Sequence, residues 1–115
     1  CGTTCTDASG CDACTGDQST CLNCRAGYFW DGAAKCKLCS GGKGKTADTD
    51  EKTGASKTVS ACDVTCTGLK GCEACTGNAD TCINCRAGYF WTGTNTCSLC
   101  SGKIGKDSDT TDKDG

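Results

Sequence analysis

The chain has 115 residues, with 16 cysteines, 17 glycines and no histidine, proline or methionine. Its 12 basic and 14 acidic residues leave a net charge of −2, mixed in sign along the chain, which excludes a basic nucleic-acid stripe or a polybasic membrane patch. No apolar run is long enough to cross a bilayer, and neither a nucleophile elbow nor a carboxylate pair with a reason to be buried is visible, so no enzymatic activity is expected.

Cysteines at this density mark a disulfide scaffold in a short secreted chain, and they place the protein outside the cell or on its surface. They fall in two registers. Cys1, Cys5, Cys11, Cys14, Cys21, Cys24, Cys36 and Cys39 recur 61 residues later as Cys62, Cys66, Cys72, Cys75, Cys82, Cys85, Cys97 and Cys100. The first repeat therefore covers residues 1–61 and the second 62–115. Because the chain opens on Cys1 rather than methionine, it reads as a processed product or an internal piece of a longer array. A membrane anchor, if there is one, is expected outside it.

In chain order, a C-x3-C pair comes first and two C-x2-C pairs follow, with a third C-x2-C after the aromatics. The residues after the second C-x2-C pair, Arg25–Trp30, carry strand-forming aromatics and end at Gly32, which predicts a β-hairpin, with Gly27 allowing close backbone approach or a positive φ. Tyr28, Phe29 and Trp30 are expected to pack against neighbouring disulfides rather than to form an exposed platform. Arg25 and Arg86 are placed to stack on a ring. Residues 40–61 read as a polar loop. The second copy repeats the pattern with Arg86–Trp91, Gly88 and Gly93, so Tyr89, Phe90 and Trp91 take the same packing role, and residues 101–115 form a polar tail. The fold class expected is a small disulfide-rich repeat protein, mostly irregular, with short hairpins in elongated tandem modules.

Three chemistries compete for the C-x2-C pairs. A redox motif needs a low-pKa thiolate at a helix start beside a βαβ unit, and none is visible. Zinc is the lesser alternative, with Cys11, Cys14, Cys21 and Cys24 as four thiolates, although the pairs stand closer than in a usual zinc ribbon. Disulfides are preferred. Interlocked pairing of neighbouring groups predicts Cys11–Cys21 with Cys14–Cys24, Cys36–Cys62 with Cys39–Cys66, and Cys72–Cys82 with Cys75–Cys85. Cys1, Cys5, Cys97 and Cys100 are then left for preceding and following repeats or identical chains. Asp48 and Asp50, with Asp107, Asp109, Asp112 and Asp114, hint at calcium but lack an EF-hand layout. They read as solvated loop charges. Asn95-Thr96-Cys97 is only the rare cysteine variant of a sequon, and the many threonines leave O-glycosylation open.

The residues Cys11, Cys14, Gly16, Cys21, Cys24, Gly27, Tyr28, Phe29, Cys36 and Cys39, with their copies, resemble the growth-factor-receptor or furin-like cysteine-rich modules. They are most similar to the variant-specific surface proteins of Giardia, and ciliate surface antigens share the style. The resemblance implies a protease-resistant coat or fibre protein on a cell surface, built as an array of repeats. The alternative is a receptor-like ectodomain presenting loops to a protein or a glycan.

Overall fold

The computed structural model describes residues 5, 10–15, 20–32, 35–48, 61–67, 69–77, 81–93 and 95–109. Described residues form no helix; they form ten short strands. In the first repeat these are β1 (Cys11–Cys14), β2 (Cys21–Cys24), β3 (Tyr28–Trp30), β4 (Cys36–Leu38) and β5 (Lys43–Lys45). In the second they are β6 (Val64–Thr65), β7 (Cys72–Thr76), β8 (Cys82–Cys85), β9 (Tyr89–Trp91) and β10 (Cys97–Leu99). The molecule is elongated, 51 × 25 × 21 Å.

Each repeat holds two hairpins. The aromatic strand pairs as its composition suggests, setting Tyr28 opposite Leu38 and Trp30 opposite Cys36. Its copy sets Tyr89 opposite Leu99 and Trp91 opposite Cys97. The other hairpin is built from the cysteine pairs themselves, β1 on β2 and β7 on β8, each broken by bulges that place Cys11 opposite Cys24 and Cys72 opposite Cys85. Bulges add twist to a ladder.

One strand lies where the sequence reads as polar loop. Lys43–Lys45 joins a four-stranded sheet in the order β6–β5–β7–β8, antiparallel to β6 and parallel to β7. Lysine and glycine have weak strand propensity, so this strand forms because two strands of the second repeat supply its ladder. The polar-loop expectation for residues 40–61 is corrected at 43–45. The centre of that loop, 49–60, lies outside the described residues. The sheet therefore crosses the boundary between the sequence repeats.

The interior is mostly sulfur. Cys21, Cys24 and Cys36 are buried with Tyr28 and Trp30, with Cys11 and Leu38 packed on them. Cys66, Cys72, Cys75 and Cys82 form the second cluster, with Leu69 and Cys97 beside it.

Candidate functional site

The described residues form seven disulfides: Cys5–Cys14, Cys11–Cys21, Cys24–Cys36, Cys39–Cys62, Cys66–Cys75, Cys72–Cys82 and Cys85–Cys97. All span Cα separations of 5.8–6.0 Å, within the usual range for a bridge. Among the expected pairs, Cys11–Cys21 and Cys72–Cys82 are present. Cys14–Cys24, Cys75–Cys85, Cys36–Cys62 and Cys39–Cys66 are not.

The reason is geometric. Cys11 and Cys21 lie on one diagonal of the β1–β2 ladder, and Cys14 and Cys24 on the other. A twisted two-stranded ribbon brings one diagonal together and drives the other apart. Only one crossing bond can close, so Cys14 turns to Cys5 and Cys24 to Cys36. The same logic sends Cys75 to Cys66 and Cys85 to Cys97. Cys36 faces Trp30 within the buried cluster that holds Cys24, whereas Cys39 follows the end of β4 and meets Cys62. Cys5 and Cys97, expected to seek partners outside the chain, are thus bridged internally. Cys1 lies outside the described residues. Cys100 is the one free thiol among the described residues.

Neighbouring bridges stack. Cys21 Sγ lies 3.2 Å from Cys36 Sγ, and Cys82 Sγ lies 3.3 Å from Cys97 Sγ. The Trp30 indole N–H closes this stack by donating to the Cys21 carbonyl at 3.1 Å, and Trp91 repeats the contact on Cys82 at 3.3 Å. Tyr28 and Trp30 are buried, Phe29, Tyr89 and Trp91 half-buried, and Phe90 is 42% exposed. The aromatics of the first repeat therefore pack on disulfides, while those of the second are left partly open. Arg86 reaches Glu73 through an ion pair at 3.5 Å.

The stacking also gathers the sulfurs of Cys11, Cys21 and Cys36, and of Cys82, Cys85 and Cys97, as a metal site would. Each of those sulfurs belongs to a disulfide. A bridged sulfur has no thiolate charge to give zinc. The four thiolates expected as a zinc set, Cys11, Cys14, Cys21 and Cys24, are spread over three separate bridges.

The two repeats meet at a joint built from both. Cys39–Cys62 is the bridge that crosses it. Gly42 N–H donates to the Glu73 carbonyl at 2.9 Å, and Cys66 N–H donates to the Gly42 carbonyl at 2.8 Å. Two glycines let the surfaces meet: a Cβ on Gly27 would clash with Ile83, and one on Gly44 with the Cys75 carbonyl and sulfur. Gly27 has φ +86°, which glycine adopts at little cost.

The joint also covers an ion pair. Lys45 contacts Asp48, its side chain only 8% exposed, and also donates to the Thr46 carbonyl at 3.2 Å. Lys106 contacts Asp109 in the same way, but its side chain is 43% exposed. Asp48 and Asp109 thus hold lysines, the role that replaces the calcium hint for these two; Asp50, Asp112 and Asp114 lie outside the described residues. Asp48→Asn should cost about 2 kcal/mol, because a shielded ammonium loses its charged acceptor. Asp109→Asn should cost less, about 1 kcal/mol, since water can take over at Lys106, although the Asp109 carboxylate is as buried as that of Asp48. Thermal unfolding of the two oxidised variants checks the order; equal losses would mean that the joint does not shield Lys45.

No family model, curated protein or solved structure matches this chain.

Proposed function

We propose that the chain is a structural and protective module of an extracellular or cell-surface protein, in the style of the variant-specific surface proteins and furin-like repeats that its cysteine pattern resembles. The observation that supports this is the joint. A disulfide and a four-stranded sheet both cross the repeat boundary, so two small modules behave as one stiff element. Seven bridges suit an oxidising compartment, and each typically contributes about 2–4 kcal/mol, largely by restricting the unfolded chain.

Stiffness on this scale removes the local opening that proteases need. The native oxidised chain should survive trypsin for hours, although it carries 12 lysine and arginine residues, and reduction should make it digestible within minutes. Equal digestion before and after reduction would sink the protective reading. A receptor-like ectodomain would instead bind one soluble protein or glycan saturably, and Phe90→Ala would weaken that binding.

A further inference from the structure

The end of the second repeat carries the same half-joint as the end of the first, with no described residue seated on it. Every backbone contact that shapes the occupied half recurs. Gly27 N–H donates to the Lys45 carbonyl and Gly88 N–H to the Lys106 carbonyl, both at 2.7 Å. Cys39 N–H bonds the Gly27 carbonyl and Cys100 N–H the Gly88 carbonyl, both at 2.8 Å. Asp48 and Asp109 bond the carbonyls of Cys24 and Cys85. Even φ is kept where glycine gives way to lysine: Gly42 has φ +75° and Lys103 φ +65°. A lysine in the left-handed region, where side chains rarely sit, shows that this backbone shape forms without the neighbour.

What differs is cover. Gly44 and Lys45 are buried, whereas Gly105 and Lys106 are exposed. Leu38 is half-buried and its copy Leu99 is 65% exposed; Cys39 is buried and bridged, and its copy Cys100 is a half-buried free thiol. A Cβ on Gly27 or Gly44 would strike the second repeat, but a Cβ on Gly88 or Gly105 meets nothing within 4 Å. Among the described residues, no strand lies beside Ile104–Lys106, the copy of β5.

The opposite end shows the complementary face. Cys72, Ala74, Cys75, Ile83 and Asn84 are buried by the joint, and their first-repeat copies Cys11, Ala13, Cys14, Leu22 and Asn23 are only half-buried. In the described sheets β1 pairs with β2 alone, whereas its copy β7 also pairs with β5.

We infer that the face formed by Gly88, Leu99, Cys100 and Ile104–Lys106 docks the first repeat of a second copy of this chain, head to tail, and is then locked by a Cys100–Cys1 disulfide. The occupied joint specifies the occupant. β1 of the incoming chain takes the place of β7 beside residues 104–106, Leu22 takes the seat of Ile83 over Gly88, and Cys1 is the register copy of Cys62. Four positions among residues 101–109 depart from the first joint: Lys103 for Gly42, Ile104 for Lys43, Asp107 for Thr46 and Ser108 for Ala47. Lys43 and Thr46 are exposed yet reach the second repeat, Lys43 Nζ donating to Thr65 Oγ1 at 3.0 Å and Thr46 lying against Gly77, so Ile104 gives up that hydrogen bond and Asp107 places a charge at the edge of the docked strand. Lys103 requires the incoming Arg25 to swing clear, because its counterpart Arg86 lies directly against Gly42 in the occupied joint.

The covalent step needs an oxidant, a small-molecule disulfide of the glutathione class. The Cys100 thiolate attacks it, forming a mixed disulfide and releasing one glutathione thiol. The Cys1 thiolate of the second copy then displaces the other, so two protein thiols become one bridge and one oxidised glutathione becomes two reduced molecules. This deepens the structural-module reading by naming its partner.

The test uses the full chain in a buffer of oxidised and reduced glutathione, followed by non-reducing electrophoresis and disulfide mapping. The expected result is a ladder of oligomers containing the Cys100–Cys1 linkage. Gly105→Ala should melt like the parent, because its Cβ enters open space, yet cut oligomer yield at least tenfold, because the same Cβ would strike Cys14 of the incoming copy. Cys100→Ser should abolish the covalent ladder and leave concentration-dependent association visible by light scattering. Cys100–Cys100 dimers, full oligomerisation of Gly105→Ala, or a chain that stays monomeric would each overturn the inference. A monomer that still resists trypsin would do so while leaving the protective reading intact.

Discussion

Trp30→Ala should be among the most damaging single substitutions in the chain, costing about 3–5 kcal/mol of stability with all bridges formed. The indole is only 1% exposed and is the largest fully buried side chain. It packs in the cluster of Cys21, Cys24 and Cys36, and truncation leaves a void against disulfides that cannot move to fill it. The Cys21 carbonyl also loses the indole N–H. Small domains have only about 5–15 kcal/mol in total, so the loss should be plain in a denaturant midpoint. Trp91→Ala is the control. The same ring on the same carbonyl is only half-buried there, and its removal should cost clearly less. Equal losses would mean that the deeper burial of Trp30 adds nothing to the stability of its cluster.

The comparison also shows what the sequence discloses. The aromatic hairpins were legible because Tyr28–Trp30 carries strand-forming residues between glycines, and its copy repeats them. The register of sixteen cysteines announced a covalent scaffold. The pairing was not legible, since spacing along the chain says nothing about which diagonal a twisted ladder closes. Cys14 and Cys24 are as well spaced for a bond as Cys11 and Cys21, and only the ladder tells them apart. The Lys43–Lys45 strand was equally hidden, because its residues have no strand preference of their own. A signal was nevertheless present. Within the divergent loops, Gly44, Lys45 and Asp48 recur as Gly105, Lys106 and Asp109. Those are the residue that admits the neighbouring strand and the ion pair beside it.

The pairing also alters the meaning of the repeat. Each repeat closes three of its bridges internally, counterpart for counterpart, and one sulfur from each side is left for the boundary. Interlock at every group would have made the boundary indistinguishable from the interior. The observed arrangement separates two tasks: three bridges hold a module together, and one joins it to the next. The joint is therefore the place where substitutions separate an effect on assembly from an effect on folding.

Ile83→Ala tests that separation and should cost about 2–5 kcal/mol, the range for truncating a fully buried aliphatic side chain. Ile83 is completely buried, and it sits directly over Gly27 of the first repeat. Its loss should fall mainly on the joint, because the three bridges on either side remain closed. Hydrogen exchange should show this locally. The amides of Gly42 and Cys66, bonded to the Glu73 and Gly42 carbonyls, should lose protection, while that of Asp31, bonded to the Lys35 carbonyl within the β3–β4 hairpin, should keep it. Leu22→Ala, at the half-buried counterpart in the first repeat, should cost less and leave those joint amides unchanged. If Ile83→Ala exposed hairpin and joint amides alike, the two repeats would be one cooperative unit. The disulfide between Cys39 and Cys62 would then be reinforcing a core rather than fastening two bodies. If only the joint amides respond, the bridge keeps two folded modules together when the packing between them is weakened.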